Sequence, residues 1–326
     1  MITLINNRLV KIFVFFYLSA LSPSCSHTQF QKKKKENSKE EYWKKEKSIN
    51  FLILGDWGRN GEFHQKDVAN AMALNGIKDK SNFIISTGDN FYPDGVISVD
   101  DPQWSKSFED IYSGASLNIP WFTVFGNHDY RGSIEAQLDY SKKSRRWRTT
   151  ERYYSFEKTI PNSNEKVIFI FLDTNPFDET LNKKYHSDLS KQDTAAQLKW
   201  LENTLTSSNA KWKIIIGHHP LFTTGVRRDK LLNIRNTFLP FFNKHEIDIY
   251  FAGHEHDLQY QKPEGKTHYF ISGAGSEIRP VSKDLLQTKF AMSTNGFISA
   301  CITKDFISIT FINHKGKQLY QTSIIK

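Results

Sequence analysis

Cysteine is nearly absent from this chain: Cys25 and Cys301 are the two in 326 residues. That count excludes a disulfide-dense scaffold, so stability has to come from packing. Long apolar runs are missing too. The stretch Ile12–Leu21 is about half of the ~20 apolar residues that span a bilayer, which argues against a stable transmembrane helix. No internal repeat at a period of ~20–50 residues is evident. The body of the chain also lacks a strong charge of either sign. The formal charge is +9, but residues 1–50 hold ten of the 44 basic and four of the 35 acidic side chains, and so carry +6 of it. A basic nucleic-acid-binding body is disfavoured.

What is present points to a large folded domain. With 38% hydrophobic and 14% aromatic residues, wholesale disorder is excluded. The body of roughly 275 residues suits one large α/β or all-β domain, or two small ones. Ahead of it, Arg8 and Lys11 precede the apolar run, and Ser22-Pro23-Ser24-Cys25 follows. A basic start, a short apolar centre and small residues make residues 1–24 a secretory signal peptide, so the protein is expected to be exported. Cys25 stands where a bacterial lipoprotein signal carries its lipidated cysteine, although Leu21 lies one step upstream of its usual place in that motif. Lipidation would tether the protein to a membrane; cleavage without it would leave a secreted or periplasmic protein. Residues 25–47, polar and lysine-rich, read as a disordered linker. Cys301 is expected as a small buried apolar side chain in a strand.

From Ile49 onward one pattern recurs: a short apolar run, a glycine, then side chains able to bind metal. Ile49–Leu54 leads to Gly55-Asp56-Trp57-Gly58, and Phe83–Ser86 to Gly88-Asp89-Asn90-Phe91-Tyr92. Trp121–Phe125 leads to Gly126-Asn127-His128-Asp129, Trp212–Ile216 to Gly217-His218-His219-Pro220, and Ile247–Ala252 to Gly253-His254-Glu255-His256. The runs read as buried strands. Phe63–Lys78 and Thr194–Leu205 read as amphipathic helices between them, the latter with Leu198, Leu201 and Leu205 on one face. Alternating strands and helices predict βα units, whose ligands gather beyond the carboxyl ends of the strands. Singly, each cluster has an ordinary structural explanation: Asp56 or Asp89 as a helix cap or turn residue, His218 as a satisfied buried histidine, Tyr92 as a packed aromatic. His254-x-His256 says more, because residues two apart in extended backbone face the same way. Collectively the strand ends offer oxygen and imidazole donors and no thiolate, which suits iron, zinc or manganese.

The order of these clusters resembles the five blocks of the metallophosphoesterases, and Tyr92 in the second block resembles the purple acid phosphatases, the small tartrate-resistant type above all. The likeness extends to Phe108-Glu109-Asp110, Pro120-Trp121, Trp200-Leu201 and Gly273-Ala274-Gly275, and so to residues 48–326 as the catalytic domain. It implies a four-layer αββα sandwich: two packed mixed sheets flanked by helices, with a dinuclear metal centre at the strand ends. Carried over, Asp56, Tyr92 and His256 would hold Fe(III). Asn127, His218 and His254 would hold Fe(II), Zn(II) or Mn(II), and Asp89 would bridge the two ions. The activity implied is hydrolysis of phosphomonoesters by in-line attack of a metal-bound hydroxide, with no covalent phosphoenzyme. Asp89 and His128 are then the catalytic candidates, His128 as proton donor to the leaving alcohol. Asn127, His128, His219 and Arg227 are the candidates for binding substrate. Two departures stand out: Arg59, where a second glycine is common, and Arg227, near where the family often carries a histidine. An arginine there could clamp phosphate oxygens but could not act as an acid. A phosphodiesterase or nucleotidase of the same superfamily, or a non-catalytic surface binding protein, is the competing expectation.

Overall fold

The computed structural model describes residues 48–178, 189, 192–228 and 230–326. The expected signal peptide, the linker and Cys25 lie outside the described residues. Strands β1 (Ile49–Leu54), β2 (Phe83–Ser86) and β3 (Trp121–Thr123) run parallel, with helix α1 (Gln65–Asp79) between the first two. Helix α2 (Ile134–Lys143) follows, started by Ser133, whose hydroxyl accepts the Ala136 N–H at 3.1 Å. Next come β4 (Tyr154–Thr159), β5 (Lys166–Phe171), α3 (Thr194–Ser207), β6 (Trp212–Ile216), α4 (Leu232–Lys244) and β7 (Ile249–Ala252). The chain closes with β8 (Leu258–Gln261), β9 (His268–Ser272), β10 (Thr288–Met292), β11 (Gly296–Ile302), β12 (Phe306–Asn313) and β13 (Gln318–Ile325).

These strands form two mixed sheets. One has the order β13-β12-β11-β1-β2-β3, the other β10-β8-β9-β7-β6-β5-β4. Alternation along each strand explains why they pack, since successive side chains point to opposite faces. Phe51, Ile53, Phe83 and Ile85 of the first sheet meet Phe169, Phe171, Ile214, Ile216 and Phe251 of the second in one shared core. The alternate residues Leu52, Leu54 and Ile84 face Val68 and Met72 of α1 on one outer side. On the other, Ile168, Ile170, Ile215 and Tyr250 face Leu201 and Leu205 of α3 and Phe238 and Phe242 of α4. Both faces of each sheet are thus covered, which is why the strands read as continuous apolar runs. The expected two sheets with flanking helices are present.

The sequence-based elements need small corrections. The third and fifth strands are shorter than their apolar runs, ending at Thr123 and beginning at Ile249. Helix α3 buries Gln197 together with Leu201 and Leu205, whereas Leu198 is only partly buried. Gln197 is drawn inward because its side chain bonds the Asp173 backbone at both ends, at 3.0 Å each. Cys301 does lie in a strand, β11, but half-buried rather than buried.

Candidate dinuclear metal centre

Parallel strands β1, β2 and β3 of one sheet and β6 and β7 of the other end at the same side, so their following loops converge. Backbone bonds stitch the loops together: Asp56 N–H donates to the Gly88 carbonyl at 2.9 Å, and Gly253 N–H to the His218 carbonyl at 2.9 Å. Between the sheets, His254 N–H donates to Asp56 Oδ2 at 2.9 Å. The approach is close enough to require glycine, as Gly126 and Gly253 show. A Cβ on Gly126 would lie 2.1 Å from Asp89 Oδ1, and one on Gly253 would lie 2.5 Å from Asp56 Oδ2.

Three of the converging residues hold left-handed backbone: Asp56 at φ 58°, Asp89 at φ 50° and His254 at φ 67°. Non-glycine residues seldom adopt this conformation; asparagine, aspartate and histidine do so most often, and strain of this kind gathers at functional sites. Here it turns each side chain back across the strand ends.

The side-chain atoms form two abutting clusters. In the first, Tyr92 Oη lies 3.0 Å from Asp56 Oδ1, 2.8 Å from Asp89 Oδ2 and 3.2 Å from His256 Nε2. In the second, His218 Nε2 lies 3.1 Å from His254 Nδ1, 3.3 Å from Asn127 Oδ1 and 3.6 Å from Asp89 Oδ1. Asp89 thus offers one oxygen to each. The ligand atoms of Asp56, Asp89 and His218 all lie within 4.8 Å of one another, as do those of His218, His219 and His254.

These contacts cannot all be hydrogen bonds. Tyr92 has a single O–H to share between two carboxylates. His218 Nδ1 sits 2.9 Å from the Thr87 carbonyl, which can only accept, so Nδ1 carries the hydrogen and Nε2 presents a lone pair. That lone pair faces the oxygens of Asn127 and Asp89. Lone pairs converging on lone pairs, with a backbone carbonyl fixing the tautomer, is the arrangement a cation satisfies. The donor set fits two metal ions.

Protonation preferences agree. Burial, then the Asp89 carboxylate, pushes Asp56 well above the usual carboxylate range. Burial and the two carboxylates likewise push the Tyr92 phenol well up. Burial holds His218 below the ordinary imidazole value and His254 well below it, and pushes His256 down to about 2, with Arg279 adding to the last effect. Neutral imidazoles are what a metal needs, while a buried carboxylate and phenolate need a cation beside them.

All seven ligand candidates are therefore brought together, and His128 with them. Its N–H donates to Asp89 Oδ1 at 2.7 Å, its ring centroid is 4.3 Å from that of Tyr92, and its side chain is 17% exposed. His219 and Arg227, the other two candidates for binding substrate, stand beside this centre and bond to protein groups. His219 is fully buried behind His218 and His254, with Nδ1 2.8 Å from Thr174 Oγ1. Arg227 is held against the loop after β7: its guanidinium donates to the His254 carbonyl at 2.8 Å and lies 3.5 Å from the buried Glu255 carboxylate. Glu255 and Gln259 draw this loop inward, Glu255 accepting the Arg227 N–H at 2.7 Å and Gln259 the Thr224 N–H at 2.9 Å. A buried acid needs a partner, and the Arg227 guanidinium is the charge that stands beside Glu255.

Sequence reasoning also missed the brace beneath the site. Asp129 accepts the Gly126 N–H at 2.8 Å, the Asn90 N–H at 3.1 Å and Gln137 Nε2 at 2.9 Å, which ties the second and third motif loops to α2. Asp129 stands inside a motif block and was visible there; Gln137 carried no signal.

The calcineurin-like phosphoesterase family pattern matches residues 49–258. The chain is 34% identical to purple acid phosphatase 7 of Arabidopsis thaliana, over 87% of this chain and 88% of that protein. It is 32% identical to tartrate-resistant acid phosphatase type 5 of Sus scrofa, over 85% and 86%. Among solved structures, GAP50, the anchor in the inner membrane complex of Plasmodium, shares the fold with a TM-score of 0.72 at 24% identity, over 86% of this chain and 89% of that one. With its five motif blocks assembled into one centre, this chain belongs to the calcineurin-like phosphoesterases, in the purple acid phosphatase group.

Proposed function

We propose that this protein is an exported phosphomonoesterase, an acid phosphatase, working with Fe(III) at Asp56, Tyr92 and His256 and a divalent ion at Asn127, His218 and His254. The observation that carries the reading is the pair of lone-pair clusters sharing Asp89. Two metal ions held by these residues would supply Lewis-acid charge toward a phosphate ester and a more acidic water. The chain's own residues do the rest. Asn127 and His254, each 8% exposed, are the most open of the seven ligands, so phosphate is received on their side. His128 stands at this edge. Its Nδ1 lies 2.6 Å from the Pro93 carbonyl and so carries a hydrogen, which leaves Nε2 to hand a proton to the departing alcohol. Burial pulls the His128 pKa below the ordinary imidazole value, so that proton is present toward acid pH. Export and lipidation at Cys25 rest on the basic-apolar-small start of the sequence.

The mature protein is expected to contain two metal ions per chain, to hydrolyse p-nitrophenyl phosphate far faster than the bis-ester, and to lose that activity when the metals are stripped. A metal-loaded sample inert toward every phosphomonoester would sink the enzyme reading, and a preference for diesters would move it to another branch. Oxidised protein is expected to be purple through charge transfer from the Tyr92 phenolate, and Tyr92→Phe to be colourless. A colourless, fully active zinc protein would overturn the iron assignment.

A further inference from the structure

Arg59 sits in the loop after β1, and its guanidinium carbon lies 3.8 Å from the centroid of the Tyr92 ring. Three contacts hold it there. Its outer nitrogen pairs with Glu277 Oε2 at 2.7 Å, and the Phe63 ring lies 5.4 Å from the guanidinium carbon. Its backbone N–H donates to Gln65 Oε1 at 2.9 Å, and the fully buried Gln65 is itself anchored on the Ser107 carbonyl at 2.7 Å. The neighbouring Gly58 carbonyl accepts the Tyr92 N–H at 2.8 Å, so the loop that carries the cation and the residue that carries the ring are fastened together. The Arg59 side chain is 16% exposed, which limits screening by water.

We infer that Arg59 is a positioning residue for Tyr92: it holds the ring from one face, and its charge sets how readily the ring gives electron density to a ferric ion. This rests on Tyr92 being an Fe(III) ligand, as proposed above. In the charge-transfer transition an electron moves from the phenolate ring to the iron, so the ring becomes less negative. A cation against the ring favours the ground state and raises the transition energy. Arg59 therefore keeps the band at shorter wavelength than an uncharged neighbour would.

The test is the visible spectrum of the iron-loaded, oxidised full chain, with iron per chain measured alongside. Arg59→Met and Arg59→Gln are each expected to move the band to longer wavelength, on the order of tens of nanometres for a charge removed at this distance. Arg59→Lys, which keeps a cation over the ring, is expected to restore most of the wild-type position. Two uncharged variants guard against one that folds poorly. A merely structural role would lower the yield or iron content of all three without ordering their bands by charge. A wild-type band that stays put in both uncharged variants overturns the role of Arg59 alone. A wild-type protein that binds Fe(III) without any such band overturns Tyr92 as the ligand, and the inference falls with it.

Discussion

Asp89→Asn is expected to lower kcat by roughly a hundred- to a thousandfold, the size of effect seen when a preorganised electrostatic group is lost from a reacting centre. Asp89 is buried at 2% exposure and faces both ligand clusters, with Oδ2 2.8 Å from Tyr92 Oη and Oδ1 3.6 Å from His218 Nε2. Asparagine has the same shape, so the fold should persist. It lacks the negative charge that both ions would share, and it must turn an NH2 either toward Tyr92 and its acceptor cluster or toward the His128 N–H, 2.7 Å from Oδ1. Either choice sets a donor where an acceptor is needed. Steady-state kinetics with metal analysis would check this, the expected pattern being reduced metal content together with reduced kcat. Near-normal turnover with two tightly held ions would mean that Asp89 is not shared.

The second large effect concerns stability. Trp57→Ala is expected to cost about 3–5 kcal/mol, as large-to-small changes of buried aromatics do. Trp57 is fully buried beside the ligand Asp56 and packs against Phe91, Phe108, Tyr112 and Trp121 at centroid distances of 5.5, 5.9, 5.3 and 5.9 Å. Its indole N–H donates to Ser86 Oγ at 2.8 Å, and that hydroxyl donates on to Asn90 Oδ1 at 2.6 Å, next to Asp89. Deleting the ring opens a cavity under two ligand loops at once. Trp57→Phe keeps most of the packing and gives up the N–H, so about 1–2 kcal/mol is expected. Denaturant unfolding of the two variants would separate packing from hydrogen bonding; equal losses would mean that the hydrogen bond dominates.

Much of the site was legible before the fold was known. The five strands announced themselves because both faces of each sheet are covered, which makes a buried strand a continuous apolar run. The ligand types were legible because donor chemistry belongs to the residue itself: a carboxylate or an imidazole at a strand end is one in any context. How Arg227 and His219 are held is not legible, for the complementary reason. Glu255, twenty-eight residues beyond Arg227, accepts its backbone N–H and lies 3.5 Å from its guanidinium, and Thr174, forty-five residues before His219, meets its Nδ1. No periodicity announces such pairings.

The sequence by itself determined which atoms could bind metal and that they would stand at the carboxyl ends of successive strands. Tertiary structure decided which of those atoms meet. Tyr92 reaches Asp56 across 36 residues and His254 reaches Asp56 across 198, from one sheet to the other. It also decided the left-handed turns at Asp56, Asp89 and His254, a conformation these residues hold only while the surrounding loops over-determine it. The scarcity of cysteine fits the same division. With two thiols in the chain, the metal site is built from oxygen and nitrogen donors, and their alignment depends on the packing of two sheets.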